Sequence, residues 1–185
     1  MSEASDALDE VVAQIGRPLD TTPWVGDLDS NEKGSGARMN ADKLAVEQIP
    51  AKIWAAVFRG SRGVRDMSLI TCVEDLALFQ EGELPGGQLL NNVPMPWIES
   101  AVDVFVYGMG KYKKYNWLKG MPWSVPLASA IRHAKAIFEG ERLDPESGLP
   151  HTGHFTCNLI MLATFYDTYK EGNDFPDPKF FEDTK

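Results

Sequence analysis

Residues 97–112 read WIESAVDVFVYGMGKY. Ile98, Ala101, Val102, Phe105, Met109 and Tyr112 recur at three- and four-residue intervals, the period that gathers apolar side chains on one stripe of an α-helix. The same period appears on both sides of this stretch. Downstream, Ser124 is placed to cap a helix whose first turn tolerates Pro126. That helix turns Leu127, Ala130, Ile131, Ala134, Ile137 and Phe138 inward and runs to about Glu141. Pro150 opens a further helix to about Lys170, with Phe155, Leu159, Leu162 and Phe165 for the core. Upstream, Pro50–Arg59 and Val64–Gln80 carry shorter helical patterns, and the breaker-rich EGELPGGQLLNNVPMP separates them from Trp97. No run alternates as a half-buried strand would. The expectation is an all-α fold, about five helices in a compact bundle.

The ends differ from this body. Residues 1–37 mix acids with Gly, Ser and Pro and read as a mobile acidic arm, with a short helix near Ala7–Ile15. Residues 38–172 form a single helical domain, and 173–185 an extended tail. The net charge of −9 is concentrated at these ends. Residues 1–33 hold eight acids against Arg17 and Lys33, whereas 34–170 balance fourteen acids with fourteen bases. No basic surplus exists to displace counterions, so duplex nucleic acid is excluded as the main partner. No apolar run approaches the ~18 residues of a membrane span, and the first ten residues, MSEASDALDE, lack the order of a signal peptide. Cys72 and Cys157 lie far apart without a CxxC, which argues against a disulfide framework or zinc ribbon. A cytoplasmic location without membrane association is expected.

Residues able to do chemistry are concentrated between Gly110 and Asn158. All three histidines, His133, His151 and His154, fall within 22 residues. His151 and His154 share a helix face, with Asn158 one turn further along. If Asp144-Pro-Glu-Ser-Gly148 folds two helices into an antiparallel hairpin, Glu141, Asp144, His151 and His154 meet near its closed end. Mixed carboxylate and imidazole can hold a divalent cation, Mg²⁺ or Mn²⁺, with Co²⁺ or Zn²⁺ as further choices. The competing reading is purely structural: Asp144 before Pro145 forms turns, Ser147 caps, and helical histidines bond locally.

A second constellation is Gly110-Lys-Tyr-Lys-Lys-Tyr-Asn-Trp-Leu-Lys-Gly120, four lysines interleaved with three aromatic rings. Ammonium groups suit phosphates and flat rings suit a base or sugar. The same residues can instead favour a helix C-terminus and fill the core. Arg38, Asn40 and Lys43 form a weaker third group just before the body begins. Cys157, inside an apolar helix, reads as core. No GxxxxGK[ST], GxSxG, HExxH or adjacent His-Asp is present.

These segments together resemble a family widespread in phage genomes and named after dATP/dGTP diphosphohydrolase. The likeness is carried by RMNADK (38–43), YGMGKY (107–112), NWLKG (116–120), RH (132–133), GERLDPESGLPH (140–151) and HTGH (151–154). It is dense from Tyr107 to Asn158 and looser before it, since Met39 replaces the family's Tyr and Ala41-Asp42 its x-Gly. Residues of about 51–96 resemble an insertion relative to shorter members.

The resemblance implies hydrolysis of a (deoxy)nucleoside triphosphate, a purine dNTP by the family's name, to the monophosphate and pyrophosphate with a divalent metal, in control of a phage nucleotide pool. On that reading Glu141, Asp144, His151 and His154 hold the metal, and His133, Lys119 and Glu146 are the catalytic candidates. Arg38, Asn40, Lys43, Lys111, Tyr112, Asn116, Trp117 and Asn158 are the substrate-binding candidates. The partner is then a small-molecule nucleotide, and a homo-oligomer is compatible with it. The alternative is a non-catalytic nucleotide-binding module, a sponge or sensor built on the same pocket.

Overall fold

A computed structural model of the chain describes residues 32–36, 43, 45–61, 66–177 and 179. Most of the acidic arm, including Ala7–Ile15, together with Arg38 and Asn40, lies outside the described residues. The fold is all-α. Among the described residues the named helices are α1 (Ala51–Gly60), α2 (Met67–Gln80), α3 (Met95–Met109), α4 (Ser124–Phe138) and α5 (His151–Thr168), with short 3₁₀ turns between them. Among the described residues the only β pairing is an isolated antiparallel bridge between Leu143 and Pro150.

Helix α5 is the axis of the bundle, packed against both α3 and α4. It is apolar on most sides, burying Phe155, Leu159, Leu162 and Phe165, as a helix covered by several neighbours must be. Its approach to α3 depends on Gly153. A Cβ there would lie 2.7 Å from the Ser100 carbonyl oxygen, so only a glycine lets the two backbones come this close. Helices α1 and α2 form a hairpin against α4, joined by the stacked rings of Phe58 and Phe138, 4.6 Å apart. Inside it, the buried Gln80 side chain accepts from the Ala51 N–H (2.8 Å), satisfying a donor that the start of α1 would otherwise leave unpaired.

Helix ends depart from the sequence pattern in four places. The Asp66 carboxylate caps α2 by accepting from the N–H groups of Ser68 and Leu69, so that helix begins at Met67, and Val64, where the sequence pattern starts, lies outside the described residues. Helix α3 ends at Met109, between Gly108 and Gly110, so Lys111–Lys119 occupy turns and a 3₁₀ segment rather than a helix end. Ser124 opens α4 without serving as its cap. Asp174, fifty residues on, accepts from both the Ser124 N–H (2.8 Å) and its hydroxyl (2.5 Å). The tail is held there because Phe175 packs edge-on against Trp123 and Phe79. Helix α4 stops at Phe138, since Gly140 follows in the left-handed conformation (φ 86°).

At the other end of the body, Tyr169 seats against Gly34, Gly120 and Gly172. Gly34 and Gly36 donate to the carbonyls of Lys119 and Gly120, which docks this short stretch onto the body. No helix among the described residues is long and apolar enough to cross a membrane.

Candidate functional site

The connection from α4 to α5 is a tight, internally bonded loop. Asp144 N–H donates to the Leu149 carbonyl (2.8 Å), Gly148 N–H to that of Asp144 (2.8 Å), and His151 N–H to that of Arg142 (3.0 Å). The Asp144 side chain organises the turn inside. Its Oδ1 accepts from the N–H groups of Glu146 (3.1 Å) and Ser147 (2.9 Å) and from the Ser147 hydroxyl (3.1 Å). All three bonds land on one oxygen, so Oδ2 keeps its acceptor capacity for something else. Burial opposes ionisation of Asp144, but the Ser147 bonds and the neighbouring His154 and His151 outweigh it and hold the carboxyl below its usual range.

The turn also holds a histidine ring. Ser147 Oγ lies 3.1 Å from Asp144 Oδ1, accepts from Leu149 N–H (3.1 Å) and makes a 2.7 Å contact with His154 Nε2. That contact orients the His154 ring. The ring stacks on His133, with centroids 4.6 Å apart and planes within 17°. His133 Nδ1 lies 2.8 Å from Nδ1 of the buried His151. The other ring nitrogen of His151, Nε2, is buried without a hydrogen bond, and Glu141 Oε2 lies 3.5 Å away.

Ligand atoms of His133, Asp144 and His151 all lie within 4.8 Å of one another. Among the described residues this is the grouping that could surround a cation. It takes in His133 from α4, and leaves Glu141 beside His151 and His154 bonded to Ser147.

A cavity of about 500 Å³ opens from this cluster. His133, His154, Asp144 and Glu146 wall one end with Lys43 and Lys111. Asn158 Nδ2 donates to the His154 carbonyl and to Ser129 Oγ (3.3 Å), which sets Ser129 and Cys157 one helical turn deeper. Beyond them the lining is apolar, with Phe105, Trp117, Met121 and Met161. Trp117 is held by Phe105 (5.0 Å between centroids) and by Phe165. The cavity thus runs from a charged end at the hairpin to an apolar end along α5. Four lysines line it, Lys43, Lys111, Lys113 and Lys114, against the carboxylates of Asp144 and Glu146. In a chain of net charge −9, this is a local excess of positive charge.

Of the residues singled out from sequence, Lys43, Lys111, Tyr112, Asn116, Trp117, His133, Asp144, Glu146 and His154 share this cavity. Lys119, Glu141, His151 and Asn158 do not line it. Lys119 sits at the Gly34 contact, and Asn158 is buried between α4 and α5. Sequence reasoning passed over Tyr107, whose hydroxyl donates to the Glu146 carbonyl (3.3 Å), and Ser129 at mid-depth. Cys157, read as core, is buried in the core cluster and also forms part of the cavity wall. Ser147, read from sequence as a cap, does bond Asp144 and also meets His154. Cys72 is closed to thiolate chemistry, because burial, with help from Asp75 and Asp66, pushes its thiol up to about 12.

Residues 84–175, which hold α3, α4, α5 and every cavity-lining residue except Lys43, match the dATP/dGTP diphosphohydrolase N-terminal family. Through that segment the chain belongs to this family. The match covers about half of the chain, and helices α1 and α2 precede it. The family name denotes nucleotide hydrolysis, and the dense motif likeness from Tyr107 to Asn158 falls inside the matched region. No curated protein and no solved structure matches the chain significantly.

Proposed function

We propose that the chain hydrolyses a (deoxy)nucleoside triphosphate, a purine dNTP by family likeness, to the monophosphate and pyrophosphate, with a divalent metal. The observation that carries this reading is the meeting, in one cavity, of the lysine-rich segment with two members of the His133–Asp144–His151 group. A volume near 500 Å³ suits a nucleotide, and its charged-to-apolar gradient matches a molecule with polyphosphate at one end and a base at the other. Lys111, Lys113 and Lys114 would bind and orient the phosphates, and Trp117 with Phe105 would receive the base.

The donor set fits a metal. Two imidazoles and one ionised carboxylate lie within reach of a common point, and the buried His151 Nε2 makes no hydrogen bond within the protein. Two imidazoles in the set move the preference from Mg²⁺ toward Mn²⁺, Co²⁺ or Zn²⁺. A bound ion would supply electrostatic stabilisation of charge on the phosphoryl oxygens. The protein's own share is positional. The Asp144–Ser147–His154 chain fixes the His154 ring, while the apolar walls would exclude water from around the base.

The test is incubation with each dNTP in Mg²⁺ or Mn²⁺ and measurement of monophosphate and pyrophosphate. Release from at least one dNTP is expected, and its absence with every dNTP and both ions rejects hydrolysis. A nucleotide that stabilises the protein yet survives intact would assign the cavity to binding alone.

A further inference from the structure

Two lysines distant in sequence converge on one carboxylate at the charged end of the cavity. Lys111, just past α3, forms an ion pair with Glu146 Oε1, and Lys43, which precedes the bundle, lies 3.5 Å from Oε2. Tyr107 completes the arrangement. Its ring lies beneath the Lys111 ammonium at 4.9 Å, and its hydroxyl holds the Glu146 carbonyl. All four residues line the cavity. The Glu146 N–H is fixed by Asp144, so the turn delivers the carboxylate to one place, while its side chain remains 55% exposed and able to rotate away. Lys111, and then Lys43, hold Glu146 ionised, and Glu146 in turn raises Lys111.

One oxygen to each ammonium is also how a phosphate would engage this lysine pair. A phosphate and the Glu146 carboxylate cannot both sit between the two ammonium groups without like-charge repulsion. We infer that Lys43 and Lys111 form the subsite for the terminal phosphates of the nucleotide and for free pyrophosphate, and that Glu146 is the internal anion they hold until it is displaced. The inference rests on the nucleotide reading above and changes the role of Glu146. It is a competitor for the phosphate subsite rather than a group acting on the reacting atoms. Exposed carboxylate–lysine pairs are weak, so a polyanion of higher charge displaces it readily. The same competition speeds release of pyrophosphate.

The experiment is calorimetric titration of the full chain with inorganic pyrophosphate in metal-free buffer, comparing wild type, Glu146→Gln, Glu146→Ala and Lys111→Met. Melting curves establish that each variant is folded. Both Glu146 variants are expected to bind pyrophosphate about two- to fivefold more tightly than wild type, the range an exposed ion pair can contribute. Lys111→Met is expected to bind several-fold more weakly. Unchanged or weaker binding by the Glu146 variants overturns the inference, as does absence of binding to every protein. The two readings fail separately. Tighter pyrophosphate binding without turnover of any dNTP keeps the subsite and removes the hydrolase. Turnover with pyrophosphate affinity indifferent to Glu146 and Lys111 does the reverse.

Discussion

His133 Nδ1 and His151 Nδ1 lie 2.8 Å apart, tying the middle of α4 to the first residue of α5. The contact joins the wall of the cavity to a buried residue behind it, so it bears on both stability and ion binding. His151→Ala should cost about 1–3 kcal/mol, since it removes a buried partner and leaves polar groups unpaired. Denaturant titration measures this. If the grouping with Asp144 holds a metal, Mn²⁺ should raise the melting temperature of the wild type and leave His133→Ala unmoved. Equal shifts in both proteins would place the ion elsewhere.

Gly153 and Gly108 make a matched pair. A Cβ at Gly153 meets the Ser100 carbonyl, whereas one at Gly108, inside α3, meets nothing within 4 Å. Gly153→Ala should therefore force α3 and α5 apart, at about 1–3 kcal/mol. Gly108→Ala should stabilise by about 0.5–1 kcal/mol through helix propensity. Thermal melts followed by circular dichroism decide both signs, and a stable Gly153→Ala protein would contradict the close packing of the two helices.

Asp174 caps α4 from the far end of the chain. Asp174→Ala should lower stability by about 1–2 kcal/mol, the usual effect of losing an N-cap. Ser124→Ala should cost less, because its N–H still reaches the Asp174 carboxylate. Comparable losses in the two variants would mean that the hydroxyl bond, not the cap, holds the tail.

The Lys111–Glu146 pair gives a pH signature. Lys111 holds Glu146 below its ordinary 4.5, so that contribution is present above about pH 4.5 and fades as pH falls through the lowered folded value. Glu146 raises Lys111 above 10.5, so that contribution is present below 10.5 and fades as pH rises through the raised value. The melting-temperature difference between wild type and Lys111→Met should form a plateau between these limits and shrink outside them. Both side chains are partly exposed, so its height should be small, corresponding to at most about 1 kcal/mol of stability, and lower in high salt. A difference that grows below pH 4 would contradict the pairing.

Five helices were legible in the chain because amphipathic periodicity is a local property: residues three and four apart share a face whatever they pack against. The clustering of histidines and the lysine–aromatic run were legible for the same reason, as was the turn at Asp144-Pro145. Helix ends and side-chain partners were not, because they depend on groups remote in sequence. Asp174 displaced Ser124 as the cap, and His133 rather than Glu141 or His154 joined Asp144 and His151. Spacing placed His151 and His154 on one helix face, and both rings pack against His133, but only His154 lines the cavity. What the amino acids determined alone was which helices form and which residues are near in sequence. Packing of α3 and α4 around α5 decided which side chains meet, since inter-helix distance and rotation come from volumes filled jointly by all of them.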